Sequence, residues 1–182
     1  MLCGIDEAGR GCLAGPLVVA GVILTGKVKG LNDSKQLSEK KREMLYDKII
    51  QNASYEIVFT DNATIDEIGL SQALKDSIIM IMKKLHPTKT IMDGNTTFGV
   101  TGVEAIIKAD ATVPEVSAAS ILAKVSRDRY IVAEDQNFPE YGFAKHKGYG
   151  TAHHVAMIAK HGYCTLHRKS FKIKSLNQPT LF

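Results

Sequence analysis

Acidic residues, glycines and one arginine stand near the start of this chain in a pattern suited to a phosphate-bearing substrate. Asp6 and Glu7 follow a short apolar run (Met1, Leu2, Cys3, Ile5), and Gly9, Arg10 and Gly11 come directly after them. That order predicts a strand entering a glycine turn. Glycines on both sides of an arginine let the backbone approach a ligand while one fixed cation points at the same place. Two further acids, Asp93 before Gly94 and Asn95, and Asp110, close apolar runs later in the chain. Carboxylates brought into one crevice repel each other, and a hard divalent cation on oxygen ligands resolves the repulsion. Without histidine or cysteine beside these four acids, Mg²⁺ or Mn²⁺ is favoured over Zn²⁺. Such ions suit phosphoryl transfer, one activating water and another stabilising the leaving oxygen at a phosphodiester. Spacing alone leaves alternatives open: Asp93 also reads as a turn acid and Asp110 as a helix cap. A regular strand, moreover, points Asp6 and Glu7 to opposite faces, so both reach one site only where the strand ends or bulges.

The elements that must carry these residues alternate between strand and helix. Pro16 to Leu24 is β-branched and almost wholly apolar, the composition of a strand covered on both faces. Ser38 caps a helix reaching about Asn52 with Met44, Leu45, Ile49 and Ile50 inward, and Tyr55 to Thr60 is a short strand. Thr64 and Glu67 form a capping box that opens a long helix to about Leu85. Thr88 to Met92 reads as a buried strand delivering Asp93, and Gly102 to Ala109 as another ending at Asp110. Pro114 opens a helix to about Glu134 whose Val116, Ala119 and Ala123 suit close packing on a sheet. Lys124, Arg127 and Asp128 share its other face. Tyr141 to Gly150 is glycine-rich, basic and aromatic; Thr151 to Lys160 is a helix closed by Gly162. The expected architecture is an α/β sheet flanked by helices, with extra helices at the C-terminal end and the site at the carboxyl ends of strands.

Bulk properties set the class. A chain of 182 residues, 45% hydrophobic, suits one sizeable core, expected here as a domain over 1–172 with a loose tail over 173–182. The early charges and the lack of a long apolar run predict an unexported, cytoplasmic protein, and three scattered cysteines suit reduced thiols. A net charge of +4 favours an acidic partner. His161, Cys164 and His167 suggest zinc, but without a fourth ligand at useful spacing they read as packing or phosphate-contacting residues.

Several long motifs in one order carry a resemblance. GIDEAGRGCLAGP at Gly4 to Pro16, NDSKQLS at Asn32 to Ser38, IMDGN at Ile91 to Asn95 and KADATVPEVSAASILAKVSRD at Lys108 to Asp128 resemble ribonuclease HII, the type 2 ribonuclease H family. KHKGYGT at Lys145 to Thr151 and HRKSF at His167 to Phe171 extend the likeness, which covers about residues 2 to 172. It implies a ribonuclease H-like mixed sheet and a metal-dependent endoribonuclease, acting as a monomer on RNA/DNA hybrids and on duplex DNA with embedded ribonucleotides. It implies that Asp6, Glu7, Asp93 and Asp110 are the catalytic metal ligands, with Mg²⁺ or Mn²⁺ and two ions during catalysis. It implies further that Gly9, Arg10 and Gly11 contact the ribose 2′-hydroxyl, the group by which a protein tells RNA from DNA. Tyr149 matches a tyrosine that stacks on the deoxyribose after the ribonucleotide, and Lys35 lies in a phosphate-contacting DSK element. Lys124, Arg127, Arg168 and Ser170 are expected as contacts to the nucleic-acid backbone or as supports of the site. Cys12 stands where the family often has proline or a small residue. A non-catalytic hybrid-binding protein on the same fold would show a defective acid set, and here all four acids are present. A type 3 ribonuclease H would carry an extra N-terminal domain and lack the glycine-arginine-glycine element.

The terminal Gln178, Pro179, Thr180, Leu181 and Phe182 resemble the Q-x-x-L-F peptides that dock on DNA sliding clamps. Gln178, Leu181 and Phe182 are therefore expected to tether the enzyme to a clamp.

Overall fold

A computed structural model describes residues 1–31 and 37–173. Strands β1 (Leu2–Ala8), β2 (Leu17–Leu24), β3 (Ala53–Thr60), β4 (Lys89–Asp93) and β5 (Val103–Ile106) form a sheet ordered β3-β2-β1-β4-β5. Neighbours β1, β2 and β3 pair antiparallel, whereas β4 runs parallel to β1 and β5 parallel to β4. The sheet is mixed, as the resemblance implies. The apolar run of β2 is buried on both faces, which is why it lacks alternation.

Helices α1 (Glu39–Gln51) and α5 (Pro114–Glu134) cover one face, packing Leu45, Ile49, Ala119 and Leu122 on Val18, Ala20 and Val22. Helices α2 (Asn62–Ile68) and α3 (Leu70–Leu85) cover the other with Ile65, Leu74, Ile78 and Ile81 on Ile5, Leu17 and Val19. The start of α5 lies directly on β1. A Cβ at Gly4 would come within 2.2 Å of the Glu115 carbonyl carbon, so only glycine permits that approach. The short helices α4 (Ala109–Thr112) and α6 (Phe143–His146) precede and follow α5 in the chain, and α7 (Ala152–His161) comes last. Tyr141, Phe143, Ile158, Leu166 and Ile173 close a third cluster around Ala14 and Ile131. Among the described residues no helix is long and apolar enough to cross a membrane.

Several boundaries differ from expectation for local reasons. Ser38 caps α1 as predicted, but Met44 points outward because it sits one step round the helix from Leu45. The predicted long helix begins at Asn62, capped by Asp61 accepting from the Thr64 amide, and breaks at Gly69 (φ 82), which ends α2 and starts α3. The strand predicted to run to Ala109 stops at Ile106: Lys108 adopts a left-handed φ of 60 and turns the chain into α4, so Asp110 sits on a helix. Helix α7, expected from Thr151, begins at Ala152 with Thr151 as its N-cap, and Gly162 closes it as expected.

Candidate active site

Two strands, β1 and β4, and two helices, α4 and α5, converge to build an acidic centre. On β1, Gly4, Asp6 and Ala8 project towards α5, and Asp6 receives hydrogen bonds from the Glu7 amide (2.7 Å) and the Ser120 hydroxyl. Asp93 ends β4 beside β1, and its Oδ1 accepts from the Ala109 amide at 2.8 Å, tying that strand end to the start of α4. One residue later Asp110 turns inward, 4% exposed. Ligand oxygens of Asp6, Asp93 and Asp110 all lie within 4.8 Å of one another. Burial first, then the charge on Glu7, pushes the Asp6 carboxyl from 3.8 up to about 8, with Asp93 adding to the effect. Such a group cannot ionise fully near neutral pH without a cation. An oxygen-only set of hard ligands fits a divalent ion such as Mg²⁺ or Mn²⁺, and the chemistry of the donors disfavours zinc.

Glu7 stands outside this trio. Strand β1 stays in unbroken register with β2 through Asp6, Glu7 and Ala8, so no bulge brings the adjacent acids to one face. Its Oε1 lies 3.6 Å from Arg10 Nη1, and the Arg10 guanidinium sits 5.4 Å from the Phe98 ring centroid. Gly9 has φ 87, and a Cβ there would fall 2.0 Å from Arg127 Nε; Gly11 faces open space. The first glycine thus permits the turn, and the second keeps the backbone bare. Glu7, Gly9, Arg10, Gly11, Arg42, Lys124 and Tyr149 line a cleft of about 210 Å³. Lys124 Nζ is 5.3 Å from the Tyr149 ring centroid and pairs with Asp128 at 2.8 Å. A larger hollow of about 560 Å³ lies on α3 around Ile79, Met82 and Val100, and none of the acids or the glycine-loop residues line it.

The two other arginines of the expected site do not line the cleft. Arg127, expected on the outer face of its helix, is fully buried and donates to the carbonyls of Ala14 (2.9 Å), Pro16 (2.9 Å) and Lys147 (2.8 Å). It stitches the glycine loop to the loop bearing Tyr149. Arg168, 1% exposed, donates to Gly15 O (3.0 Å) and Arg10 O (3.1 Å), and burial holds its guanidinium down at about 10. Ser170 donates to Asp66, as do its own amide and that of Lys169. Arg127 and Arg168 thus bond to the backbone of the loops around the cleft, and Ser170 to Asp66 on α2. Lys35 and the terminal Gln178, Leu181 and Phe182 lie outside the described residues. Sequence reasoning missed Ser120 and Arg42. Ser120 is a small residue on a small-residue helix, and Arg42 is one of several charges on α1, so neither had a distinguishing signal. The histidines at 161 and 167 do not form a metal group; among the described residues the trio of aspartates is the one such cluster.

Known proteins resemble this chain along nearly its whole length. The family model described as Ribonuclease HII matches residues 3–174. A Ribonuclease HII of Sulfurovum sp. is 52% identical over 181 residues, covering 100% of this chain and 96% of the relative. One of Aliarcobacter butzleri is 55% identical over 179 residues, covering 97% of this chain and 93% of the relative. Among solved structures, the PCNA:RNase HII complex from Archaeoglobus fulgidus aligns with a TM-score of 0.84 at 32% identity, covering 100% of this chain and 98% of that one. The gathered carboxylates, the adjoining glycine-arginine loop and these matches over nearly the whole length place the chain in the ribonuclease HII family of endoribonucleases.

Proposed function

We propose that this chain cuts the RNA strand of RNA/DNA hybrids and nicks duplex DNA on the 5′ side of an embedded ribonucleotide, leaving 3′-hydroxyl and 5′-phosphate ends. The observation that carries the reading is the continuity between the aspartate trio and the cleft: Asp6 belongs to the trio, and its chain neighbour Glu7 lines the cleft with Arg10 and Tyr149. Asp6, Asp93 and Asp110 would hold Mg²⁺ or Mn²⁺, and Glu7 would join them once Arg10 engages the substrate. Two such ions held there would supply activation of water and stabilisation of the leaving 3′-oxygen. The protein's own groups do the recognition. Gly9 and Gly11 allow the sugar close to the backbone, and Arg10 supplies a cation at the 2′-hydroxyl. Tyr149, 40% exposed, offers a ring face to the deoxyribose that follows. Lys124 and Arg42 on the cleft wall, with Lys35, neutralise phosphates. Arg127 and Arg168 keep these loops in place, and Ser170 fixes the segment after Arg168 to α2 through Asp66. The role is ribonucleotide removal during DNA replication and repair, by a cytoplasmic monomer.

The test is incubation of a duplex containing one ribonucleotide with Mg²⁺ or Mn²⁺, alongside Asp93→Asn. Incision on the 5′ side by the unmodified chain and none by the variant is expected. A non-catalytic hybrid-binding protein would bind and not cut, and full incision by Asp93→Asn would remove the acid trio from the mechanism. A second reading concerns the tail. The Archaeoglobus fulgidus relative was solved as a PCNA:RNase HII complex, which supports docking of Gln178, Leu181 and Phe182 on a sliding clamp. Clamp binding that persists after deletion of residues 178–182 would refute it.

A further inference from the structure

Three histidines of the C-terminal region are buried: His146, His154 and His167, at 9%, 0% and 1% exposure. The reaction described above uses none of them. Ring hydrogen bonds of two of them, His146 and His154, nevertheless end on the loop that carries Tyr149. The Tyr149 carbonyl accepts from His154 Nδ1 at 2.9 Å, and the Tyr149 amide donates to the His146 carbonyl at 2.9 Å.

The proton positions follow from the partners. A carbonyl oxygen only accepts, so His154 carries its proton on Nδ1 and its Nε2 is bare when the ring is neutral. The Cys164 amide only donates, and it lies 2.9 Å from His167 Nδ1, so His167 carries its proton on Nε2. The two Nε2 atoms are 3.1 Å apart, the donor of His167 facing the acceptor of His154. One arrangement therefore satisfies all four ring nitrogens, with both rings uncharged. A second proton on His154 would set two N–H groups head to head. A second proton on His167 would oppose the Cys164 amide.

We propose that His154 and His167 are positioning residues whose one-proton relay, from the Cys164 amide to the Tyr149 carbonyl, holds the Tyr149 ring at the cleft beside Lys124. The consequence for catalysis rests on the reading that Tyr149 stacks on the substrate sugar. Neighbouring groups favour the neutral pair. His146 stacks on His154 at 4.4 Å and is itself held neutral, accepting from the Gly148 amide and donating to the Tyr141 carbonyl. His153 lies 6.1 Å from His146, while Tyr141, Tyr163 and Cys164 face His167, and Arg168 follows it in the chain. Burial, the largest cause, pulls both His154 and His167 down to about 4.

Long-range proton–nitrogen NMR on the full chain at about pH 7 reads the relay directly. The expected result is neutral rings, with His154 protonated on Nδ1 and His167 on Nε2; a charged ring or the opposite tautomers would overturn the proposal. Kinetics read its consequence. His154→Leu should raise KM for a duplex with one ribonucleotide roughly three- to tenfold, more than it lowers kcat. His154→Asn, whose amide can occupy the place of Nδ1–H, should recover most of that loss. Equal losses in the two variants, or a loss confined to kcat, would overturn the positioning role. If Tyr149→Ala leaves KM unchanged, the sugar-stacking reading fails, and the NMR tautomers still decide the relay independently.

Discussion

Removing divalent ions should make this protein less stable as pH rises through neutrality, and Asp6 supplies the reason. Its carboxyl moves from 3.8 in the unfolded chain to about 8 in the fold, with burial as the first cause and the charge on Glu7 as the second. Between those values the folded chain holds a proton that the unfolded chain has released, so stability falls with rising pH until the folded carboxyl ionises. His154 and His167 act oppositely but lower down. Their neutral rings are pulled from 6.5 to about 4, so their contribution is complete above 6.5 and is lost as pH falls towards 4. The window from 6.5 to 8 therefore exposes the Asp6 effect. At about 1.4 kcal/mol per pH unit, about 2 kcal/mol is lost across it, which for a chain of this size lowers Tm by about 4–8 °C. Asp6→Asn keeps the acceptor for the Glu7 amide and carries no charge. It should abolish the decline and stabilise the metal-free protein at pH 8 by up to about 6 kcal/mol, the whole displacement of the carboxyl. Calorimetry in chelator across this range, for both proteins, is the assay. A metal-free Tm that stays level or rises, or an Asp6→Asn protein that declines in parallel, would refute the account. Added Mg²⁺ should flatten the curve of the unmodified protein, because the ion replaces the proton.

Two further outcomes test the cleft. Gly9→Ala places a Cβ 2.0 Å from Arg127 Nε at a φ of 87, whereas Gly11→Ala meets nothing within 4 Å. Thermal unfolding should show Gly9→Ala destabilised by at least about 2 kcal/mol and Gly11→Ala changed by less than about 0.5 kcal/mol; similar stabilities would contradict the packing of the turn on Arg127. Arg42→Ala removes a cation from the cleft wall. Its affinity for an RNA/DNA hybrid should fall, and the slope of log K against log salt should shrink by about 1, so an unchanged slope would exclude a phosphate contact.

Much of the frame was legible in local pattern. The uninterrupted apolar run of β2 announced a strand covered on both faces, and Ser38, Thr151 and Gly162 marked helix ends because their chemistry is local. Local pattern failed where one backbone angle redirected the chain. Gly69 split a continuous helical pattern, and Lys108, at a left-handed φ that no residue-type rule selects, turned a strand into α4. Arg127 shows the same limit for side chains. Its spacing with Lys124 and Asp128 put it on the helix face away from the sheet-packing residues, but three carbonyls from distant loops surround it.

Taken alone, the sequence determined the inventory of the site and its kinship: four acids, a glycine-arginine-glycine turn and Tyr149 in motifs whose order marks one family. The tertiary structure decided which of these residues meet. It gathered Asp6, Asp93 and Asp110 from β1, β4 and α4, left Glu7 beside Arg10, and put Arg127 and the His154–His167 pair behind the loops they hold. The physical reason is that residue type and spacing are properties of the chain, whereas a carboxylate's neighbours, a guanidinium's burial and an imidazole's proton depend on partners up to 158 residues away.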